Sequence, residues 1–150
     1  MENRNETSST LNDLIETLKD GQEGFKQAAE AVKDAQLKSL FAEYSQQRMR
    51  FAAALQSQVQ MLGKDPETSS STAGSLHRGW INLKSALTGG DDHAILAECE
   101  RGEDSAVEEY RKALDDDLSP SLYELVSQQY TDVKASHDRI RNLRDTRKGD

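Results

Sequence analysis

The feature that most constrains this chain is a set of four long segments in which apolar residues recur every three or four positions. The first stripe consists of Leu11, Leu14, Ile15, Leu18, Phe25, Ala29 and Val32. This spacing places apolar side chains on one face of an α-helix. The four stripes predict helices over residues of about 10–34, 36–62, 92–115 and 120–146. The chain is therefore expected to fold as an all-α bundle of amphipathic helices.

The links between the predicted helices differ in length. The first link, near Ala35, and the last, at residues 118–119, are short, so each should join antiparallel neighbours. The middle link is long and polar, and after it a shorter apolar stripe predicts an extra helix over about 75–87. We expect two antiparallel helical hairpins joined by a long crossover, in one domain that spans residues 1–150.

Charge and composition exclude several classes of partner. The formal net charge of −8 disfavours nucleic acid and anionic membranes. The longest apolar run, residues 51–55, is far too short to cross a bilayer. The single cysteine, Cys99, and a polar start without an apolar signal segment favour a cytoplasmic protein.

Several polar residues interrupt the apolar stripes midway along the helices. When the sequence of the first predicted helix is aligned with that of the third, Gln22 and Glu103 fall at equivalent positions. When the second is aligned with the fourth, Arg48 and Lys134 do so. His137 lies one turn after Lys134. Polar groups in a core are costly unless they are paired. These five residues therefore predict a shared polar layer in the bundle centre.

Three short motifs resemble a known family. They are Asp20-Gly21-Gln22-Glu23-Gly24-Phe25, His77-Arg78-Gly79-Trp80 and Glu100-Arg101-Gly102-Glu103-Asp104. In this order they resemble an uncharacterised bacterial family of small ferritin-like four-helix-bundle proteins, distantly similar to rubrerythrin and bacterioferritin. The spacing Glu103-x-x-Ala106-x-x-x-Tyr110 is similar to a helix motif of the rubrerythrin type. The resemblance implies a ferritin-like four-helix bundle and leaves its activity open.

The resemblance also implies a six-ligand di-iron site, built from two Glu and two Glu-x-x-His motifs. Of that set only Glu103 and His137 remain. The departures are Gln22 for the first Glu, Arg48 and Phe51 for the second-helix pair, and Lys134 for the fourth-helix Glu. Two of these replacements are cations, so we expect a degenerate site with no metal and no cofactor.

A shifted alignment would keep a metal centre as an alternative. Glu103 and His137 would then share iron or manganese with a further carboxylate. The candidates for that carboxylate are Glu23, Glu43, Glu98 and Glu100.

The polar layer itself has three interpretations. In the first, Arg48 binds Glu103 through its planar guanidinium, and Gln22 and His137 satisfy the remaining donors and acceptors. In the second, the polar side chains, Lys134 above all, point to solvent. In the third, the layer binds a ligand.

The crossover motif is a separate candidate. Trp80 is expected to anchor the crossover on the bundle, with Arg78 paired to an acidic neighbour. A small binding site formed by His77, Arg78 and Trp80 is the alternative. Cys99 lies on an apolar stripe and is expected to be a buried hydrophobe rather than a nucleophile.

Two functions of different class follow from these residues. The lost ligand set favours a non-catalytic bundle that acts by association, either as a homo-oligomer, for example a dimer, or with an unknown protein partner. The alternative is a metal-binding oxidase or metal store of the ferritin or rubrerythrin type.

Overall fold

A computed structural model describes residues 4–67, 79–80, 82–89 and 91–147 of the chain. All regular elements in these ranges are helices. They are α1 (Arg4–Ala31), α2 (Ala35–Met61), α3 (Leu83–Gly89), α4 (Asp92–Asp115) and α5 (Pro120–Thr146). Helix α1 packs along α2 and α4, α4 packs along α5, and the short α3 contacts α4 and α1. The predicted all-α bundle is confirmed.

Helix α1 begins six residues before the predicted start near residue 10, and ends at Ala31 rather than at 34. Ser8, Ser9 and Thr10 are residue types that favour the N-cap position before a helix beginning at residue 11, but all three lie inside α1. Ser8 Oγ donates to the carbonyl oxygen of Asn5 at 3.1 Å, and Thr10 Oγ1 donates to Asp116 Oδ2 at 2.5 Å. With neither Gly nor Pro in this stretch, the helix extends back through residues 4–10.

The link between α1 and α2 is held by an acidic residue from α4. The two carboxylate oxygens of Asp92 accept hydrogen bonds from the backbone N–H groups of Lys33 and Asp34, at 2.9 and 3.0 Å. Asp34 in turn caps α2 by accepting from the N–H groups of Gln36 and Leu37. Arg147, after the end of α5, binds Asp34 Oδ2 at 2.6 Å and lowers the pKa of that carboxyl. One end of the bundle is therefore closed by side chains from both hairpins.

The extra helix is shorter and later than predicted. Its described part is Leu83–Gly89, whereas the prediction was 75–87. Residues 75–78 and 81 lie outside the described residues, but Gly79 and Trp80 are described and are not helical. Gly79 has φ +96°, a conformation that ends a right-handed helix and that favours glycine. A Cβ atom at this position would also lie 2.5 Å from the carbonyl oxygen of Arg101.

Trp80 anchors the crossover by inserting its indole between α1 and α4. The side chain is 2% exposed, and its ring lies edge-on to Phe25, with centroids 5.1 Å apart. The indole fits because both helices carry glycine where it lies: a Cβ at Gly24 or Gly102 would overlap the ring. Gly24 and Gly102, each from one of the three sequence motifs, therefore form a slot for Trp80, which belongs to the remaining motif.

The apolar core has two halves along the bundle. One half contains Leu14, Leu55 and Tyr110, and the other contains Phe25, Phe41 and Trp80. Polar residues of α2, α4 and α5 lie between the halves, and they are described below. No helix in the described part of the chain combines the length and the hydropathy that a membrane span needs.

The glycine slot predicts a sharp contrast among three Gly→Ala variants. Gly102→Ala and Gly24→Ala should each lower the free energy of unfolding by about 1–3 kcal/mol, because the new methyl group overlaps the Trp80 ring. Gly21→Ala is the matched control, since its Cβ would lie 3.6 Å from Arg48, an ordinary contact. It should be neutral or stabilising by up to about 1 kcal/mol through helix propensity.

Urea titrations followed by the fluorescence of the only tryptophan, and separately by circular dichroism, measure these differences. Equal stabilities for the three variants would show that the indole does not occupy this slot in solution.

Candidate functional site

A buried ion pair crosses the centre of the bundle from α2 to α4. The Arg48 guanidinium forms two parallel hydrogen bonds to the Glu103 carboxylate, through Nη1 to Oε1 and through Nη2 to Oε2, the latter at 2.9 Å. The two side chains are 1% and 0% exposed. A bidentate pair of this kind is the strongest geometry that arginine and a carboxylate can adopt.

The remaining polar atoms of the pair are bonded by neighbours. Ser136 of α5 accepts a hydrogen bond from Arg48 Nη2 at 2.6 Å, and its Oγ also contacts Glu103 Oε2. Arg48 Nε donates to Gln47 Oε1 at 3.1 Å. The guanidinium also lies over the Phe25 ring, 5.3 Å from the centroid, in a cation–π arrangement. The centre is therefore a satisfied polar layer of Arg48, Glu103 and Ser136.

Electrostatics keep the buried arginine charged. Burial by itself would lower the pKa of Arg48, but the charge and hydrogen bonds of Glu103 raise it overall. Burial raises the pKa of the Tyr110 hydroxyl as well. This hydroxyl donates a hydrogen bond to Gln129 Oε1 at 2.7 Å. Burial also raises the pKa of the Cys99 thiol well above its usual range, so this side chain is an unreactive part of the core.

Gln22 lies on α1 at the level of this layer but is not bonded to it in the described part of the chain. Its side chain is half-buried, and its Oε1 atom is buried without a hydrogen-bond partner among the described residues. The backbone carbonyl oxygen of Gln22 accepts from Ser45 Oγ at 2.8 Å. In the first interpretation Gln22 and His137 would bond to the remaining atoms of the Arg48–Glu103 pair, but in the structure Ser136 does so.

Lys134 and His137 belong to a different group, which joins α5 to Asp104 of α4. Lys134 Nζ binds both oxygens of Asp138, at 2.9 and 3.0 Å. His137 Nδ1 lies 3.0 Å from Asp138 Oδ1, and its Nε2 lies 2.5 Å from Asp104 Oδ1. Hydrogen bonds from Lys134 and His137 lower the pKa of Asp138. Of the five predicted residues, Arg48 and Glu103 thus form one network, Lys134 and His137 belong to a second, and the Gln22 side chain is bonded to neither among the described residues.

Glu100 extends this second network along α4. One of its carboxylate oxygens pairs with Arg144 Nη1 of α5. Glu100, Asp104 and His137 offer one ligand atom each within 4.8 Å of one another, the one such group of metal-ligating residues in the described ranges. Of the other carboxylates considered as ligands, Glu23 and Glu43 are exposed on α1 and α2, and Glu98 is buried on α4, where it pairs with Arg101 at 3.3 Å.

The donor set at the centre does not fit the di-metal site that the ferritin-like resemblance implies. Glu103 is the one carboxylate in the layer, and both of its oxygens are already bonded to Arg48. Two divalent ions need several anionic oxygens, whereas this layer offers a guanidinium and a hydroxyl beside the single carboxylate.

The sequence analysis did not single out several participants, among them Ser136, Asp104 and Asp138. Serine gives no signal in a stripe pattern, because it is common on both faces of helices. The other two had a weak signal: Asp104 follows Glu100 by four residues, and Asp138 follows Lys134 by four, the spacing of neighbours on one helix face. His77 and Arg78 lie outside the described residues, so neither their pairing nor a site with Trp80 is tested.

The ion pair predicts an asymmetry between single and double substitutions. Arg48→Met should lower the free energy of unfolding by about 3–5 kcal/mol, since it leaves the Glu103 carboxylate buried without a counter-charge. Adding Glu103→Leu to Arg48→Met should recover most of this loss, because both charges are then absent. Arg50→Met, an exposed site on the same helix with the same charge change, should shift stability by less than about 0.5 kcal/mol.

Chemical denaturation of the parent, Arg48→Met, Glu103→Leu and the double variant gives the coupling energy, and Arg50→Met is measured beside them as the control. Additive losses in the double variant would contradict the pairing of Arg48 with Glu103.

Comparison with known proteins places the chain in one family. The search of curated proteins finds no match. A family match covers residues 6–116, which is more than half of the chain and runs from α1 to the end of α4. Arg48, Glu103 and both slot glycines lie within the match, whereas α5, with Ser136 and His137, follows it. The chain belongs to the family described as "Domain of unknown function (DUF2383)".

Proposed function

We propose that this protein is a non-catalytic, ferritin-like bundle that works by association, with a second copy of itself or with a protein partner. The observation that carries the proposal is the fully buried Arg48 on Glu103. A guanidinium at this point repels metal ions and neutralises the carboxylate that would bind them. The central polar layer therefore has a structural role, and the function falls to the exposed faces of the helices.

The ferritin-like part of the proposal is supported by topology. Short links within the pairs α1–α2 and α4–α5, and a long crossover between the pairs, are typical of ferritin-like bundles. The packing of α1 along both α2 and α4 is compatible with that arrangement. A cytoplasmic location is part of the proposal, because the single cysteine is a buried thiol and suits a reducing compartment.

The alternative, an oxidase or store of iron or manganese, requires Glu103 and His137 to share one metal. In the described structure Glu103 is bonded to Arg48 and Ser136, while His137 faces Asp104 and Asp138. Both ligands would have to leave their partners before they could meet. This favours the association hypothesis over the oxidase.

Self-association should depend on salt in a defined direction. Each copy carries a net charge of −8, so two copies repel each other at low ionic strength. We expect sedimentation velocity over a wide concentration range to show a dimer whose affinity increases when salt screens this repulsion. A monomer at every concentration and salt level would contradict self-association and leave the proposal dependent on a partner protein.

Iron chemistry separates the two functional classes. When Fe²⁺ is added in air, we expect the protein to oxidise it no faster than buffer does, and Glu103→Gln to behave like the parent. The measurement is the rate of loss of chelatable Fe²⁺ at fixed pH. Fast oxidation by the parent that Glu103→Gln abolishes would overturn the non-catalytic proposal.

A further inference from the structure

We infer that Glu100, Asp104 and His137 form a binding site for one divalent transition-metal ion that bridges α4 and α5. This site lies outside the central layer and goes beyond the proposed function, which assigns no metal to the bundle. The three residues converge from two helices. Glu100 and Asp104 are four residues apart on one face of α4, and the antiparallel partner α5 brings His137 beside them.

The orientation of the imidazole is the strongest observation. Asp138 lies 3.0 Å from Nδ1, and Lys134 holds Asp138 through both carboxylate oxygens. His137 thus contacts a carboxylate through each ring nitrogen, Asp138 at Nδ1 and Asp104 at Nε2. When a metal ion takes Nε2 in place of that hydrogen bond, the ring keeps its proton on Nδ1, where Asp138 accepts it. A histidine that ligates a metal through one nitrogen and donates from the other to a carboxylate is the usual arrangement in metal sites. Asp138 is thus the positioning residue for the proposed ligand.

The donor set decides the class of ion. One imidazole nitrogen and two carboxylate oxygens suit Zn²⁺, Fe²⁺ or Mn²⁺, and three protein ligands leave a position open for water. Ligands of a tetrahedral ion lie about 3.3 Å apart, given bonds of about 2.0–2.1 Å. The 2.5 Å between His137 Nε2 and Asp104 Oδ1 must therefore widen on binding. Asp104 can move, because its side chain is 63% exposed.

Arg144 is a built-in competitor at this site. It pairs with Glu100 through Nη1, yet its side chain is 30% exposed and it also contacts Asp145. A metal ion and the guanidinium would compete for the same carboxylate. Removal of Arg144 should therefore raise metal affinity, an effect that a purely structural role for Glu100 does not predict.

The test uses the full chain and two probe ions. Isothermal calorimetry measures Zn²⁺ binding, and Co²⁺ absorption reports whether the coordination is tetrahedral. We expect one ion per chain, and we expect Asp104→Asn and His137→Gln each to lower the affinity at least about tenfold, a loss that even the partner of a ligand can cause. Glu108→Gln is the matched control: it is exposed, one turn from Asp104 on α4, and carries the same charge change. It should leave the affinity within about twofold, because it lies outside the ligand set.

Arg144→Gln completes the series. We expect it to bind Zn²⁺ more tightly than the parent and to show a larger rise in Tm when Zn²⁺ is added. Because Asp104 is exposed, Asp104→Asn should fold as the parent does, and circular dichroism verifies this. The inference is overturned if the parent binds no ion, or if Asp104→Asn binds Zn²⁺ as tightly as Glu108→Gln does. Neither result affects the iron test of the central layer, which involves Glu103 alone.

Discussion

The buried pair of Arg48 and Glu103 determines how the rest of this bundle can be arranged. It lies between two apolar halves and joins helices from different hairpins. A charge in a core must meet its partner, and a one-turn slip of either hairpin would leave both charges buried and unpaired. Such a pair contributes little net stability, but it penalises every alternative packing. The apolar stripes provide the driving force for folding, and the ion pair selects the register in which they pack.

The sequence predicts the fold class well, because helical stripes and link lengths depend only on local spacing. The predicted start of α1 and the predicted limits of α3 were wrong. Helix α1 continues through Ser8 and Thr10, whose hydroxyl groups bond to Asn5 and Asp116, and Gly79 adopts a left-handed conformation. The contact of Thr10 with Asp116 and the close approach of Gly79 to the Arg101 backbone are tertiary, and local spacing does not contain them. The family match shows to which family the chain belongs, but it assigns no activity to the residues of the site.

The candidate site was less accessible to sequence reasoning, for a geometric reason. Successive residues of a helix point about 100° apart. A rotation of that size decides whether Ser136 or its neighbour His137 faces Glu103. A stripe pattern locates the apolar face but not the angle of each polar residue at its border. The structure turns Ser136 to the centre and His137 to Asp104, so one polar layer becomes two networks with separate chemistries.

The seating of Trp80 has a consequence for how the molecule unfolds. Glycine in a helix interior costs about 1 kcal/mol of intrinsic stability, so α1 and α4 each carry a local weakness where the indole inserts. The contacts that compensate for it come from the crossover and from both hairpins together. Neither hairpin can loosen at this level without releasing the ring, and a released ring exposes two helices at their weakest points. The segment that connects the hairpins thereby couples their stabilities, so that two separable halves behave as a single cooperative unit.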